Sequence, residues 1–244
     1  MIALILNSGL GSRMGEASRH LPKGMTEIGG GYTILSRQLT QLAQLGVRDV
    51  VITTGPFAEA LEAHVQGLGL GLNVRFVPIP EYATTNYIVS IHRAALYLAG
   101  EDVLLLHGDL VLESAVLAEL MQSPHSVMAT DAAAPLPLKD FKARLREGRI
   151  VAVGVELFGA DCVACQPAYR WRAEDMRLWL AEMAAFVRRG ETRVYAENAF
   201  NALEGAVPLH PLELRGRLCA EIDNPEDLAA VSARFMQTLA AERA

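Results

Sequence analysis

The chain opens on an unbroken apolar run, Met1-Ile2-Ala3-Leu4-Ile5-Leu6, which stops at the polar, glycine-rich stretch Asn7-Ser8-Gly9-Leu10-Gly11-Ser12-Arg13. A short continuous run bounded by turn residues predicts a strand buried on both faces. From Thr33 the period changes. Ile34, Leu35, Leu39, Leu42 and Leu45 recur at helical spacing, and Gly46 stops the helix. The β-branched run 49–55 predicts a second buried strand, 58–66 a short helix and 74–77 a third strand. Strands alternating with helices predict an α/β, Rossmann-like, doubly wound and mostly parallel sheet.

Further along, polar residues 82–86 lead into an Ala/Leu-rich helix ending near Leu98, and residues 102–107 form a strand that runs into Gly108-Asp109. A helix over 114–121, a strand over 126–130 and a loop over 132–138 follow. Residues 139–151 predict a β-hairpin turning at Glu147-Gly148. Met176, Trp179, Leu180, Met183, Phe186 and Val187 make an apolar stripe over 173–189, and its methionines and aromatics read as core. Residues 195–203 predict another helix, with Glu197 and Asn198 exposed near its start. The tail reads as a short strand, a turn and a last helix. Asn224 caps that helix, Pro225 takes its first position, and Glu226 and Asp227 lie in its first turn.

With 244 residues, 51% of them hydrophobic, and neither internal repeat nor low-complexity linker, the chain reads as one domain over 1–244. A formal net charge of −6 argues against a nucleic-acid partner, so a polyphosphate ligand must meet a local cluster of cations. No apolar run approaches the roughly 18–20 residues of a membrane span, and no basic leader precedes the first strand, which gives a cytoplasmic expectation. Cys162, Cys165 and Cys219 cannot all pair. They read as buried or partly buried thiols in a reducing compartment.

Doubly wound sheets place ligands beyond the carboxyl ends of their strands. Gly9, Gly55 and the segment after Val77 should therefore converge. A glycine-rich turn followed by Arg13 and Lys23 presents backbone N–H groups and two cations, as a triphosphate requires. Thr84, Thr85 and Asn86 suit either a helix cap or the reading of a base edge. Asp109 suits either a Mg²⁺ ligand or a turn. The basic residues of the hairpin suit either a solvated face or a lysine reaching a phosphate.

Taken together, Gly9-x-Gly11-x-Arg13, Pro22-Lys23, Gly108-Asp109 and Glu221-Ile222-Asp223-Asn224-Pro225-Glu226-Asp227 occur in an order and spacing that span nearly the whole chain. In these the chain resembles the sugar-phosphate nucleotidylyltransferase superfamily. Thr85-Asn86-Tyr87-Ile88-Val89-Ser90 is similar to its cytidylyltransferase branch, closest to the bacterial CTP:phosphocholine and aminoalkylphosphonate enzymes. The resemblance implies a small hairpin and helical insertion on the acceptor side of the sheet. It also implies transfer of CMP from CTP to a phosphorylated alcohol or phosphonate with release of pyrophosphate. Inositol-phosphate or sugar-1-phosphate transfer with UTP or dTTP, and an inactive nucleotide-binding subunit, are the alternatives. A homodimer is compatible with it.

By the same resemblance, Leu6, Ser8, Gly9, Gly11, Ser12 and Arg13 surround the triphosphate, and Arg13 and Lys23 are the catalytic cations. Gly55, Thr85, Asn86 and Ser90 line the base and ribose pocket, and Asp109 and Asp223 hold Mg²⁺. Lys142, Tyr169, Trp171, Tyr195, Glu197 and Glu221 serve the acceptor, and Arg170 and Arg172 suit extra negative charge on it. The chain departs from the family pattern at Asn7-Ser8-Gly9, where relatives carry Ala-Ala-Gly or Ala-Gly-Gly, and at Gly55-Pro56, where they carry Gly-Tyr.

Overall fold

The computed structural model describes residues 1–9 and 21–243, so Gly11, Ser12 and Arg13 lie outside the described residues. The opening apolar run is β1 (Ile2–Asn7). A 3₁₀ turn at Lys23–Met25 leads to a small antiparallel pair, β2 (Glu27–Gly29) and β3 (Tyr32–Thr33). Thr33 then starts α1 (Ile34–Gln44), accepting from the Ser36 backbone N–H while the Ser36 hydroxyl accepts from its own, a reciprocal cap. Next come β4 (Asp49–Thr54), α2 (Ala58–Gly67), β5 (Asn73–Pro78), α3 (Tyr87–Leu98), β6 (Val103–His107) and β7 (Leu110–Leu112). The chain continues through α4 (Ser114–Gln122), β8 (Ser126–Asp131), β9 (Lys142–Arg146), β10 (Arg149–Gly154) and β11 (Cys162–Trp171). It closes with α5 (Ala173–Arg188), α6 (Ala196–Asn201), β12 (Leu209–Glu213), β13 (Cys219–Glu221) and α7 (Pro225–Arg243).

The main sheet has nine strands in the order β5-β4-β1-β6-β11-β8-β12-β10-β9. From β5 to β6 every pairing is parallel, and β1 is flanked by β4 on one side and β6 on the other. The carboxyl ends of β1 and β6 thus lie at a switch in strand order, where ligands of such sheets sit. Beyond β6 the sheet is mixed. There β11 runs antiparallel to both β6 and β8, β12 runs parallel to β8, and the hairpin β9–β10 closes the far edge. The hairpin turns at the expected dipeptide, with Glu147 at φ 51° and Gly148 at φ 74°, the two left-handed residues that a tight two-residue loop needs.

Because side chains alternate along a strand, β1 serves both faces. Leu4, Val51 and Leu105 pack with α3, α5 and α6, whereas Ala3, Ile5, Ile52 and Leu106 pack with α1, α2 and α4. A third cluster, built on Ile28, Ile34, Ile222 and Phe235, lays α7 over β2 and β13. The expected stripe of α5 is core: Met176, Trp179, Met183 and Phe186 are buried, each worth roughly 1.5–3 kcal/mol of burial.

Two strands of the main sheet, β11 and β12, fall outside the predicted elements, and both contain proline. Pro167 lies where the register of β11 shifts between Cys165 and Tyr169, an irregularity that lets proline sit inside a sheet. Three other expectations are corrected. Glu197 is buried at 2% exposure instead of lying on the surface. Arg170 pairs with Asp102 at 2.8 Å, at the amino end of β6 and therefore at the opposite edge from the strand ends that hold ligands. Arg172 is likewise occupied, by the Pro124 carbonyl and Glu174. The three cysteines are buried and free, as expected for thiols in a core.

Candidate active site

At the end of β1, residues Leu6, Asn7 and Ser8 are crowded by three glycines. A Cβ on Gly24 would stand 2.5 Å from Asn7 Oδ1, one on Gly55 2.4 Å from the Ser8 carbonyl oxygen, and one on Gly108 2.5 Å from the Leu6 carbonyl oxygen and 2.6 Å from Asn7 Cγ. Gly55 and Gly108 must be glycine for the strand ends to approach this closely, whereas the three atoms nearest Gly24 all belong to the Asn7 side chain. Ser8 and Ser90 share a hydrogen bond at 2.9 Å, and the Asn7 N–H donates to Thr53 Oγ1 at 3.1 Å. The Asn7-Ser8 departure from the family pattern is therefore accommodated: the asparagine side chain fills the gap between Gly24 and Gly108, and the serine ties β1 to α3.

The Lys23 ammonium lies between two carboxylates, 2.7 Å from Asp109 Oδ2 and 2.6 Å from Asp223 Oδ1. Burial disfavours its charge, but Asp109 and then Asp223 outweigh that cost and hold its pKa above the usual lysine range. The site is assembled from three distant segments. Lys23 comes from the 3₁₀ turn, Asp109 from the loop after β6 and Asp223 from the turn before α7. The Ile222 N–H donates to the Asp109 carbonyl at 3.0 Å, and the Asp223 N–H donates to Asp227 Oδ2 at 3.0 Å, so both acidic residues are fixed by backbone.

A cleft of about 200 Å³ opens beside this group. Leu6, Ser8, Gly9, Thr85, Asn86, Ser90 and Asp109 all line it, so seven of the expected residues share one space. Gly55 sits behind it, against the Ser8 carbonyl. Asn86 fills both of its candidate roles: its side chain caps α3 by accepting from the Tyr87 N–H at 2.8 Å, and it lines the cleft. Tyr82, Tyr87 and His107 line the cleft as well, and sequence reasoning did not mark them as site residues. The available signals were position alone: His107 is the last residue of β6, and Tyr87 follows Asn86.

His107 Nδ1 is 3.2 Å from Glu221 Oε1, and its Nε2 is buried with no partner among the described residues. Burial acts against the imidazolium, yet the Glu221 carboxylate prevails and raises the His107 pKa. Glu221 is itself raised, by burial and then by repulsion from Asp109. Ligating atoms of His107, Asp109 and Glu221 lie within 4.8 Å of one another.

On the other side of Tyr87 lies the buried Glu197. It accepts from the Tyr169 hydroxyl at 2.7 Å and from the Tyr87 hydroxyl. Burial and the neighbouring Glu197 carboxylate push both phenol pKa values well above their usual range, so both remain hydrogen-bond donors. Tyr195 is 41% exposed and packs against Phe141 and Tyr87, with ring centres 5.0 and 5.9 Å apart. Tyr169, Tyr195, Glu197 and Glu221 are thus linked through Tyr87 and His107. Two other expected acceptor residues are not part of this group. Trp171 is fully buried, stacked on Trp179 at 4.4 Å and paired with Val103 at the far end of β6, so its ring belongs to the core. Lys142 is fully buried, with its ammonium on the Pro137 carbonyl at 2.7 Å and over the Phe158 ring.

Comparison with known proteins gives the same outline. A stretch of 137 residues is 39% identical to the CMP-5'-(3-aminopropyl)phosphonate synthase of Streptomyces rubellomurinus, covering 56% of this chain and 21% of that protein. The match therefore spans only about a fifth of the relative's length. Among solved structures, the CTP:phosphocholine cytidylyltransferase from Streptococcus pneumoniae superposes with a TM-score of 0.77 at 18% identity, over 96% of this chain and 99% of that one. The inositol-1-phosphate CTP transferase from T. maritima superposes with a TM-score of 0.79 at 19% identity, over 97% and 95%. Residues 3–222 match the family described as MobA-like NTP transferase domain, and the chain belongs to that family.

Proposed function

We propose that the protein transfers CMP from CTP to a small phosphorylated or phosphonate acceptor carrying a positively charged nitrogen, with release of pyrophosphate. The observation that carries this reading is the Lys23 ammonium bridging Asp109 and Asp223 beside the cleft that Ser8, Thr85, Asn86 and Ser90 line. In-line attack of an acceptor oxygen on the α-phosphorus needs positioning and neutralisation of charge, with no covalent enzyme intermediate. Lys23 supplies a fixed positive charge at the point where donor and acceptor phosphates meet, and Arg13 adds a second cation to the triphosphate. Thr85, Asn86 and Ser90 offer small donors and acceptors to the base and ribose.

The donor set at the sheet edge fits a divalent cation, because Asp109 and Asp223 are hard oxygen ligands and Asp109 Oδ1 is buried with no partner among the described residues. Mg²⁺ held by these two carboxylates would supply positive charge to the nucleotide phosphates. On the acceptor side, Glu197 and Glu221 give a cationic nitrogen two carboxylates, while Tyr195 and Tyr87 give it aromatic faces. The CMP-aminopropylphosphonate activity of the curated relative supports an aminoalkylphosphonate as the acceptor.

A pyrophosphate-release assay with CTP, Mg²⁺ and a panel of aminoalkylphosphonates, phosphocholine, inositol phosphate and sugar 1-phosphates tests the proposal. Release is expected with CTP and a nitrogen-bearing acceptor. Equal rates with CTP, UTP, dTTP and GTP would refute the base assignment, and release only with sugar 1-phosphates would refute the acceptor class.

A further inference from the structure

His107, Asp109 and Glu221 stand together because two backbone segments are tied at the end of the sheet. His107 is the last residue of β6, Asp109 follows in the turn before β7, and Glu221 ends β13 opposite Leu110 of β7. The Ile222 N–H, donating to the Asp109 carbonyl at 3.0 Å, closes the join. The Tyr87 ring packs edge-on against the imidazole, with ring centres 4.8 Å apart, and fixes its plane. The fold thus sets the three positions by backbone pairing and packing.

One ring nitrogen and one oxygen from each carboxylate lie within 4.8 Å of one another. An ion with bonds of about 2.0–2.2 Å holds its ligand atoms no more than about 4.4 Å apart, so a shift of about 0.4 Å brings this group to ligation spacing. The group is also within reach of solute: the His107, Asp109 and Glu221 side chains are 12, 21 and 22% exposed, and His107 and Asp109 line the cleft of about 200 Å³. Lys23 holds Asp109 by Oδ2, and Asp109 Oδ1 has no partner among the described residues.

The donor types narrow the ion. Mg²⁺ seeks oxygen, and the two aspartates proposed for it supply oxygen alone. An imidazole beside two carboxylates suits a first-row transition-metal dication such as Co²⁺ or Zn²⁺. Such an ion replaces the contact between His107 Nδ1 and Glu221 Oε1, and it brings two positive charges to a place where Glu221 is repelled by both Asp109 and Asp223. Three protein ligands leave coordination positions open to an oxygen arriving through the cleft.

We propose that His107, Asp109 and Glu221 form a second cation site, selective for a transition-metal dication over Mg²⁺, whose open positions take an oxygen of the acceptor's phosphate or phosphonate. The binding of the ion stands by itself; the acceptor's part rests on the transfer proposed above. With Glu221 on the ion, Glu197 is the carboxylate left for the acceptor's nitrogen.

Co²⁺ is the probe, titrated into the full, untagged chain, with visible absorption reading binding and proton NMR reading ligation. One saturable site is expected that excess Mg²⁺ does not empty and Zn²⁺ does, with one paramagnetically shifted imidazole N–H resonance that His107→Gln removes. His107→Gln and Glu221→Gln should each weaken Co²⁺ at least tenfold. Asp223→Asn should keep the affinity within threefold. So should His210→Gln, which breaks the His125–His210 ring pair, centres 4.8 Å apart, at the opposite edge of the sheet. Displacement by Mg²⁺, a tenfold loss in Asp223→Asn or His210→Gln, or a parent-like resonance in His107→Gln would overturn the site. Adding 2-aminoethylphosphonate should change the Co²⁺ spectrum; an unmoved spectrum, in a chain that releases pyrophosphate from CTP with that acceptor, refutes the acceptor's part. Co²⁺ binding in a chain that releases none with any acceptor counts against cytidylyl transfer alone.

Discussion

On the proposed nucleotide side of β6, the site is made of backbone and small side chains: three glycines press against Asn7 and Ser8, and the Ser8–Ser90 hydroxyl pair joins strand to helix. On the proposed acceptor side, large aromatic rings enclose a buried carboxylate, with Glu197 held by the Tyr87 and Tyr169 hydroxyls. The first region is limited by how closely backbones approach, the second by the cost of burying charge. Substitutions in the first should therefore be sensitive to a single carbon atom, and substitutions in the second to a single charge. Lys23 stands where the two meet.

Removing that junction is expected to have the largest effect. Lys23→Met should lower kcat for pyrophosphate release on the order of 10²–10³, the scale for loss of one transition-state electrostatic partner. A loss below tenfold would show that the two regions work without it.

On the glycine side, Gly24→Ala and Gly55→Ala should each destabilise the fold by about 1–3 kcal/mol, read from urea midpoints. They separate on rescue. All three of the nearest atoms to a Cβ at Gly24 belong to the Asn7 side chain, so Asn7→Ala should relieve Gly24→Ala. Those nearest Gly55 are Ser8 backbone, and truncating side chains should leave that variant unrelieved.

On the carboxylate side, Glu197→Gln keeps the shape and removes the charge. The acceptor KM should rise about tenfold, roughly 1.4 kcal/mol, with the KM for CTP unchanged. Equal rises in both would erase the distinction between the regions.

The smallest effect is expected outside both. Glu242, near the end of α7, accepts from the Ser114 N–H at 2.9 Å and from Arg37 at 2.6 Å, joining α7 to α1 and α4. Burial disfavours its charge, but the Ser114 N–H and the Arg37 guanidinium outweigh burial and hold its pKa below the usual 4.5. A depressed carboxylate pKa adds stability that is present above the usual value and lost as pH falls through the folded one. Glu242→Gln should accordingly cost about 1 kcal/mol at neutral pH, and the gap to the parent should close on acidification below pH ~4.5, seen in Tm against pH, with both KM values unmoved.

The local features of this protein were legible along the chain. The buried β1, the amphipathic α1 and α5, the Glu147-Gly148 turn and the Asn224 cap, whose Oδ1 accepts from the Asp227 N–H at 2.9 Å, each follow from patterns a few residues long. Backbone periodicity and turn chemistry act at that range. The motif residues Lys23, Asp109 and Asp223 were also legible, but their contact was not, because it closes across 86 and 200 positions of sequence. Only the tertiary structure decided that β11 enters the middle of the sheet despite Pro167, which turns Trp171 into the core, buries Glu197 between two tyrosines and sends Arg170 to the opposite edge. The physical reason is that a strand's place in a sheet, and the burial of each of its side chains, depend on which strands flank it, and those partners are distant in the chain.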